Sequence, residues 1–413
     1  MPSVCIYFQV HQPYRLRRYS FFDIGSVHVY DDEESNCRVL NKVADKCYLP
    51  TNALLLSLIK EYGGRFRIAF SLTGVILEQM EKYRPDVLES FQKLADTGCV
   101  EFLCETYYHS LAFLFSPREF REQVKLHGKK IRELFGRRPV TFRNTELIYS
   151  NELAKVIEGM GYKAILAEGA DKILGWRSPN FVYRPAGCET IKLLLKNYRL
   201  SDDIAFRFSD AQWSEYPLMA DKFAHWLHQI NAGGEVVNLF MDYETFGEHQ
   251  WQETGIFEFL KVLPREIARH PDFHFRTPAE VARDCEARAS LDVPEPISWA
   301  DTERDLTAWM GNAMQRDALR VLYALERVVR RRKDKGLLHT WRILQTSDHF
   351  YYMCTKWFAD GDVHKYFNPF ESPYDACINY MNILEDFSRQ VNDGAGHKSR
   401  RREKQEGRAN LER

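Results

Sequence analysis

The chain reads as an α/β fold: a parallel sheet whose seven strands favour a closed barrel, followed by a helical region without strands. Three observations predict it. Up to about residue 285, short apolar runs alternate with longer amphipathic segments, the pattern of repeated strand–helix units. Four of these runs lead directly into clusters of polar side chains, as strands do at the carboxyl face of such a fold. Beyond the Pro-interrupted linker Leu291-Asp292-Val293-Pro294-Glu295-Pro296, apolar residues recur only at three- and four-residue spacing.

The strand candidates, in order, are 4–10, 66–70, 100–104, 140–143, 164–167, either 191–195 or 198–200, and 236–241. Among the helices between them, one at 49–62 stops at Gly63-Gly64. Ser116-Pro117-Arg118-Glu119 is a capping box with Pro at the first helical position, and opens a helix to about 135, before Gly136. Thr277-Pro278-Ala279-Glu280 repeats that signature. After the linker, Met310, Met314, Ala318, Leu322, Leu325 and Val329 lie on one helical stripe running to about 332. Further helices are expected over 338–356 and 374–391, and 392–413 reads as a polar, basic-leaning disordered tail. The division is therefore 1–290 barrel, 297–391 helical region, 392–413 tail.

With 413 residues, 45% apolar and 14% aromatic, the chain can bury a barrel-sized core. A net charge of -1 offers nucleic acid or an anionic membrane no electrostatic handle. Nine scattered cysteines without a C-x-x-C pair read as reduced thiols, and the first apolar run is short and interrupted by Gln9. Both point to a cytoplasmic protein. Oligomeric state leaves no trace in the sequence.

The four polar clusters are His11-Gln12-Pro13, Glu105-Thr106-Tyr107-Tyr108-His109, Arg143-Asn144-Thr145-Glu146 and Asp242-Tyr243-Glu244. Singly, each has a plain reading: His11 as a turn histidine, Glu146 and Asp242 as caps of following helices. A parallel barrel, however, opens all its carboxyl ends on one face, where these residues converge. Two carboxylates from different strands, among His, Asn, Tyr and Arg, suit cleavage of a glycosidic bond. No G-x-S-x-G elbow, Gly-rich phosphate loop, G-x-G-x-x-G or H-E-x-x-H occurs. A metal site from His11, His109 and Asp242 lacks local ligand spacing, so no metal or cofactor is expected.

Taken in order, His11-Gln12-Pro13, Gly98-Cys99-Val100-Glu101-Phe102, Phe142-Arg143-Asn144-Thr145-Glu146, Phe240-Met241-Asp242-Tyr243-Glu244-Thr245-Phe246-Gly247 and Gln345-Thr346-Ser347-Asp348-His349 resemble the five signatures of glycoside hydrolase family 57. The wording around them is closest to its short α-amylase-type members. The resemblance implies an incomplete (β/α)7 barrel followed by helices, acting on α-1,4-glucans or maltooligosaccharides with retention of configuration. It puts the nucleophile on Glu146 and the general acid/base on Asp242. His11 matches a sugar-binding histidine and Asp348 the fifth-signature aspartate; Glu105 and His109 are expected to bind substrate beside them. The chain departs at Cys99, where a polar residue is common, and at Met241-Asp242-Tyr243-Glu244, where some members read Asp-Asp-Gly-Glu. Neither departure touches the two carboxylates. A 4-α-glucanotransferase or branching enzyme would use the same machinery. A glucan-binding protein on an inactive scaffold, or a metal-dependent deacetylase on a similar barrel, would not.

Overall fold

The computed structural model describes residues 2–356 and 368–409, with side chains as far as Asn392. Ten strands form one sheet: β1 Ser3–Val10, β2 Ile68–Leu72, β3 Val100–Phe102, β4 Thr141–Arg143, β5 Ala164–Glu168, β6 Tyr183–Pro185, β7 Lys192–Lys196, β8 Val236–Asp242, β9 His274–Phe275 and β10 Ala289–Leu291. Seven of them close the barrel. β8, β1, β2 and β3 pair in parallel, as do β4, β5 and β7. The two arcs meet at narrow seams. One is a single bridge, Cys104 to Phe142; the other is the pair Lys196–Asn238, where Asn238 Nδ2 also donates to the Leu195 carbonyl at 2.9 Å. A barrel with two such thin joints is the incomplete (β/α)7 form expected.

Alternation along the strands divides two cores. Cys5, Tyr7, Ala69, Leu103, Leu166, Leu194 and Phe240 fill the interior. Val4, Phe8, Phe70 and Leu239 face outward, under the helices. Three short strands were not expected. β9 flanks the start of β1, while β10 pairs with β6, which meets β7 at one antiparallel position. Of the two sixth-strand alternatives, 191–195 is the strand. Tyr198–Ala205 is a helix instead, because Asn197 caps it by accepting from the Leu200 N–H at 3.2 Å.

Of the two expected capping boxes, Thr277 and Glu280 form one, whereas at Ser116 only the serine half forms, because the Glu119 side chain turns to Gln123, Arg330 and Arg342. Ser116 caps Pro117–Phe135, which ends on left-handed Gly136, and Thr277 caps Pro278–Asp284. The helix expected at 49–62 begins earlier, at Glu33, and passes through a π-helical turn at Ala44–Tyr48 before Leu49–Glu61. In the helical region, the long helix breaks at Leu325 into Ala313–Ala324 and Glu326–Arg332. The segment expected at 338–356 is two helices, Lys335–Ile343 and Ser347–Tyr351, with a turn between them. A last helix spans Pro373–Ala409. Of the tail expected over 392–413, only Asn392 has a described side chain.

The helical region shares its core with the barrel loops: Trp309, Leu322, Trp341, Phe350 and Tyr380 pack in one cluster with Leu16, Tyr19, Leu111 and Ile148. An ionic clamp adds to it. Glu119, fully buried on Pro117–Phe135, accepts from Arg330 and from Arg342 Nε at 2.7 Å, and Arg342 also reaches Glu122 at 2.9 Å. Removing one partner of such a cluster strands a buried charge, at a cost of about 3–5 kcal/mol.

Candidate active site

At the carboxyl ends of β1 and β8 the ladder pairs Gln9 with Asp242. The chain beyond these ends, with the loops after β3 and β4, encloses one polar cavity. Its walls hold Glu146, Asp242, His11, His109 and Asp348, five of the six residues expected at the site, together with Gln9, Gln12, Glu244, His249, Trp299 and Tyr352.

Glu146 is buried and sits in left-handed backbone (φ 57°), followed by Leu147 (φ 50°). His109 shares that conformation (φ 50°). Each such residue costs of order 1–3 kcal/mol and persists only where surroundings impose it. Here the imposition is visible. Thr106 and Thr145 hydroxyls bond each other at 2.7 Å, Asn144 Nδ2 donates to the Ile148 carbonyl at 3.1 Å, and the Ser347 N–H donates to the His109 carbonyl at 2.9 Å. The turn delivers the Glu146 carboxylate to three donors. Oε1 accepts from His109 Nε2 at 3.2 Å and from Ser347 Oγ at 2.9 Å; Oε2 accepts from Trp299 Nε1 at 2.9 Å.

His109 stands between two carboxylates, with Nδ1 2.9 Å from Glu105 Oε2. Burial favours the neutral ring, but the hydrogen bonds and charges of Glu105 and Glu146 outweigh it and raise His109 to about 9. Burial likewise works against an ionised Glu105, and the His109 hydrogen bond, with the charges of His109 and Arg143, brings it down to about 2. At neutral pH His109 is therefore an imidazolium beside an ionised Glu105, and both its ring N–H groups donate, one to Glu105 and one to Glu146. Glu105 itself does not line the cavity. It lies fully buried behind His109, held by Gln9 Nε2 at 3.1 Å and by the Ser71 hydroxyl, so the expectation that it touches substrate is corrected: its contact is with His109.

His11 stacks on His109, ring centroids 4.0 Å apart. Burial and the neighbouring His109 charge lower its pKa. A neutral ring has one N–H; directed from Nε2 to Asp348 Oδ2 (2.9 Å), it leaves Nδ1 to accept from the Thr73 hydroxyl at 3.0 Å. Asp348 is buried, as is Tyr352, whose hydroxyl has no hydrogen-bond partner among the described residues. A buried unpaired hydroxyl on a cavity wall is ready to bond a polar ligand.

Asp242 is half-buried at the end of β8, and two residues on lies Glu244. Burial, with the charge of Asp242 added, pushes Glu244 up to about 8, so it is a neutral acid at pH 7. Its Oε1 accepts from Tyr48 at 2.5 Å and Gln12 Nε2 at 3.3 Å. The π-helical turn at Ala44–Tyr48 carries this tyrosine, and it packs against the loop after β8 so closely that a Cβ on Gly247 (φ 108°) would fall 2.0 Å from the Lys46 carbonyl oxygen.

Donor atoms of His11, His109 and Asp348 lie within 4.8 Å of one another, the one cluster of metal-ligand type among the described residues. To bind a cation there, His109 would have to shed its proton and a hydrogen bond to one of its two carboxylates. As a set the donors fit hydrogen bonding better than coordination.

Trp299, Ser347 and Tyr352 were not foreseen as site residues. Ser347 and Tyr352 lie in and beside the fifth signature, whose aspartate is its most conspicuous side chain; Trp299 sits in coil after the linker with no motif around it.

A seven-stranded barrel with acidic side chains gathered in a cavity at its carboxyl ends suits the cleavage of glycosidic bonds, the chemistry of a glycoside hydrolase. Residues 5–294 match the family model described as Glycosyl hydrolase family 57, and the chain belongs to that family. A protein of Methanocaldococcus jannaschii named "Putative alpha-amylase" is 47% identical over 94% of this chain and 84% of its own length. In fold the chain is similar to a GH57-type branching enzyme from Pyrococcus horikoshii (TM-score 0.65, 17% identity, 93% of this chain and 88% of that one). It is also similar to the alpha-amylase AmyC from Thermotoga maritima (TM-score 0.61, 14% identity, 95% and 94%). Among the described residues, no helix is long and apolar enough to cross a membrane.

Proposed function

We propose that the chain hydrolyses α-1,4-glucans by double displacement, as an α-amylase-type enzyme. The observation that carries this reading is Glu146 itself: a buried carboxylate, in costly left-handed backbone, aimed at a cavity it shares with Asp242. In the first step Glu146 attacks the anomeric carbon as Asp242 protonates the departing oxygen. In the second, Asp242 takes a proton from water, which attacks the same carbon and frees Glu146. The His109 imidazolium, fixed from behind by Glu105, keeps Glu146 ionised and oriented. Asp348 and Tyr352 bond sugar hydroxyls, and His11 holds Asp348 in place for them.

The test is to incubate the purified protein with a single maltooligosaccharide and resolve the products by size. Shorter chains alone support hydrolysis. A ladder of shorter and longer chains would make it a glucanotransferase or branching enzyme on the same machinery, and binding without products would leave a glucan-binding protein.

A further inference from the structure

The two oxygens of Glu146 are held by donors of different kind. Oε1 faces the His109 imidazolium and the Ser347 hydroxyl, and Oε2 faces the neutral indole N–H of Trp299. Trp299 is itself firmly placed. Its ring lies near the Arg143 guanidinium (4.9 Å) and the Lys196 ammonium (5.5 Å), its backbone N–H donates to the Glu146 backbone carbonyl at 3.3 Å, and Arg304 donates to its own backbone carbonyl. It lies beyond the residues matched by the family model, 5–294.

We propose that Oε2 is the oxygen that bonds the sugar, and that Trp299 is a positioning residue for the second step of the reaction. The inference rests on the double-displacement reading above. The attacking oxygen turns a lone pair into the bond to the anomeric carbon and becomes an ester oxygen, a poor acceptor. Oε1 becomes the ester carbonyl and keeps accepting. Breaking a hydrogen bond from an imidazolium to a carboxylate gives up more than breaking one from a neutral indole, since the imidazolium adds a charge–charge attraction in a buried site. Oε1 therefore stays with His109 and Ser347, and Oε2 releases Trp299. On return, water oxygen bonds the anomeric carbon, its proton goes to Asp242, and the carbon–Oε2 bond breaks with its electron pair going to Glu146. The indole N–H then meets a growing negative charge. It accelerates release of the carboxylate more than it accelerates attack.

Trp299→Phe removes the N–H and keeps an aromatic ring. On an aryl α-maltooligoside with an acidic phenol leaving group, the variant should lose about tenfold in kcat, the worth of one such hydrogen bond. KM should fall with it, so that kcat/KM changes little, and a pre-steady-state burst of phenol should approach one equivalent per enzyme. The acid limb of kcat/KM should move to higher pH, because a donor to the ionised form of Glu146 is gone. Equal losses in kcat and kcat/KM without a burst, or unchanged kinetics, would overturn the proposal. A second measurement needs no variant: trap the wild-type glycosyl-enzyme with a 5-fluoro-α-glucosyl fluoride and determine its structure. The sugar on the oxygen facing Trp299 supports the assignment; the sugar on the oxygen facing His109 and Ser347 overturns it. A wild-type enzyme that turns over but never forms a covalent adduct would overturn the double-displacement reading instead, and this inference with it.

Discussion

Ser347 donates to the Glu146 carboxylate at 2.9 Å across 201 residues of sequence. A side chain of the helical region thus reaches a carboxylate at the floor of the barrel. The backbone follows: Thr346 bridges to Ser110, and its hydroxyl donates to the Tyr108 carbonyl at 3.0 Å.

Three variants should therefore grade in severity. Glu146→Gln should lose all measurable turnover while melting close to wild type, because the amide keeps the volume but cannot attack. Ser347→Ala should lose roughly 10- to 100-fold in kcat, the worth of a hydrogen bond to a charged acceptor, and stay folded. Truncation near Glu295 should cost solubility as well as activity, since it exposes the shared core and strands Glu119. Steady-state kinetics with thermal melts separates the three. Wild-type activity in Glu146→Gln, or a soluble and active truncation, would break the account of how this site is assembled.

Activity should fall as pH rises through about 9, where His109 loses its proton. The sign follows from the raised value. The stability His109 contributes is complete below its ordinary value near 6.5 and is lost as pH passes through about 9. Glu105 behaves oppositely: its contribution is complete above the ordinary carboxylate value and is lost as pH drops through about 2. A kcat/KM profile flat to pH 10 would contradict the imidazolium between the two carboxylates.

Glu244 shares the sign of His109 and is opposite to Glu105. With its carboxyl raised to about 8, folding favours the protonated form, so stability declines as pH rises from the ordinary carboxylate range through about 8. Glu244→Gln retains an acceptor for Tyr48 and Gln12 but cannot ionise. Its melting temperature should decline less between pH 5 and 9 than that of wild type. Parallel curves would mean that Glu244 is ionised at neutral pH.

Turnover should survive EDTA. The donors of His11, His109 and Asp348 are committed to hydrogen bonds with Thr73, Glu105, Glu146 and one another, and carboxylate-driven cleavage needs no metal. Loss of turnover on chelation, restored by zinc or manganese, would move the protein towards the deacetylase alternative.

Much of this was legible in the sequence, for physical reasons. Most barrel strands show in the sequence as apolar runs because both their faces are buried. The polar clusters that follow them sit where a parallel barrel must gather them. β6, β9 and β10 escaped because two or three residues carry no periodicity. The sixth strand's position is ambiguous in sequence because two apolar stretches lie three residues apart, and it is the Asn197 cap that makes the second a helix. At the site, carboxylates and histidines stand out in sequence, whereas Trp299 in coil and Tyr48 on a helix acquire their roles only from contacts 153 and 196 residues away. Left-handed backbone at Glu146 is equally silent, since a glutamate does not predict it.

The central claim, attack by Glu146 with Asp242 as acid and base, is tested most directly by the configuration of the first product. Hydrolysis of a maltooligosaccharide followed by proton NMR within the first minutes, before mutarotation, should show the new reducing end as the α anomer. Appearance of the β anomer first would mean a single displacement by water, and would remove Glu146 from the role of nucleophile.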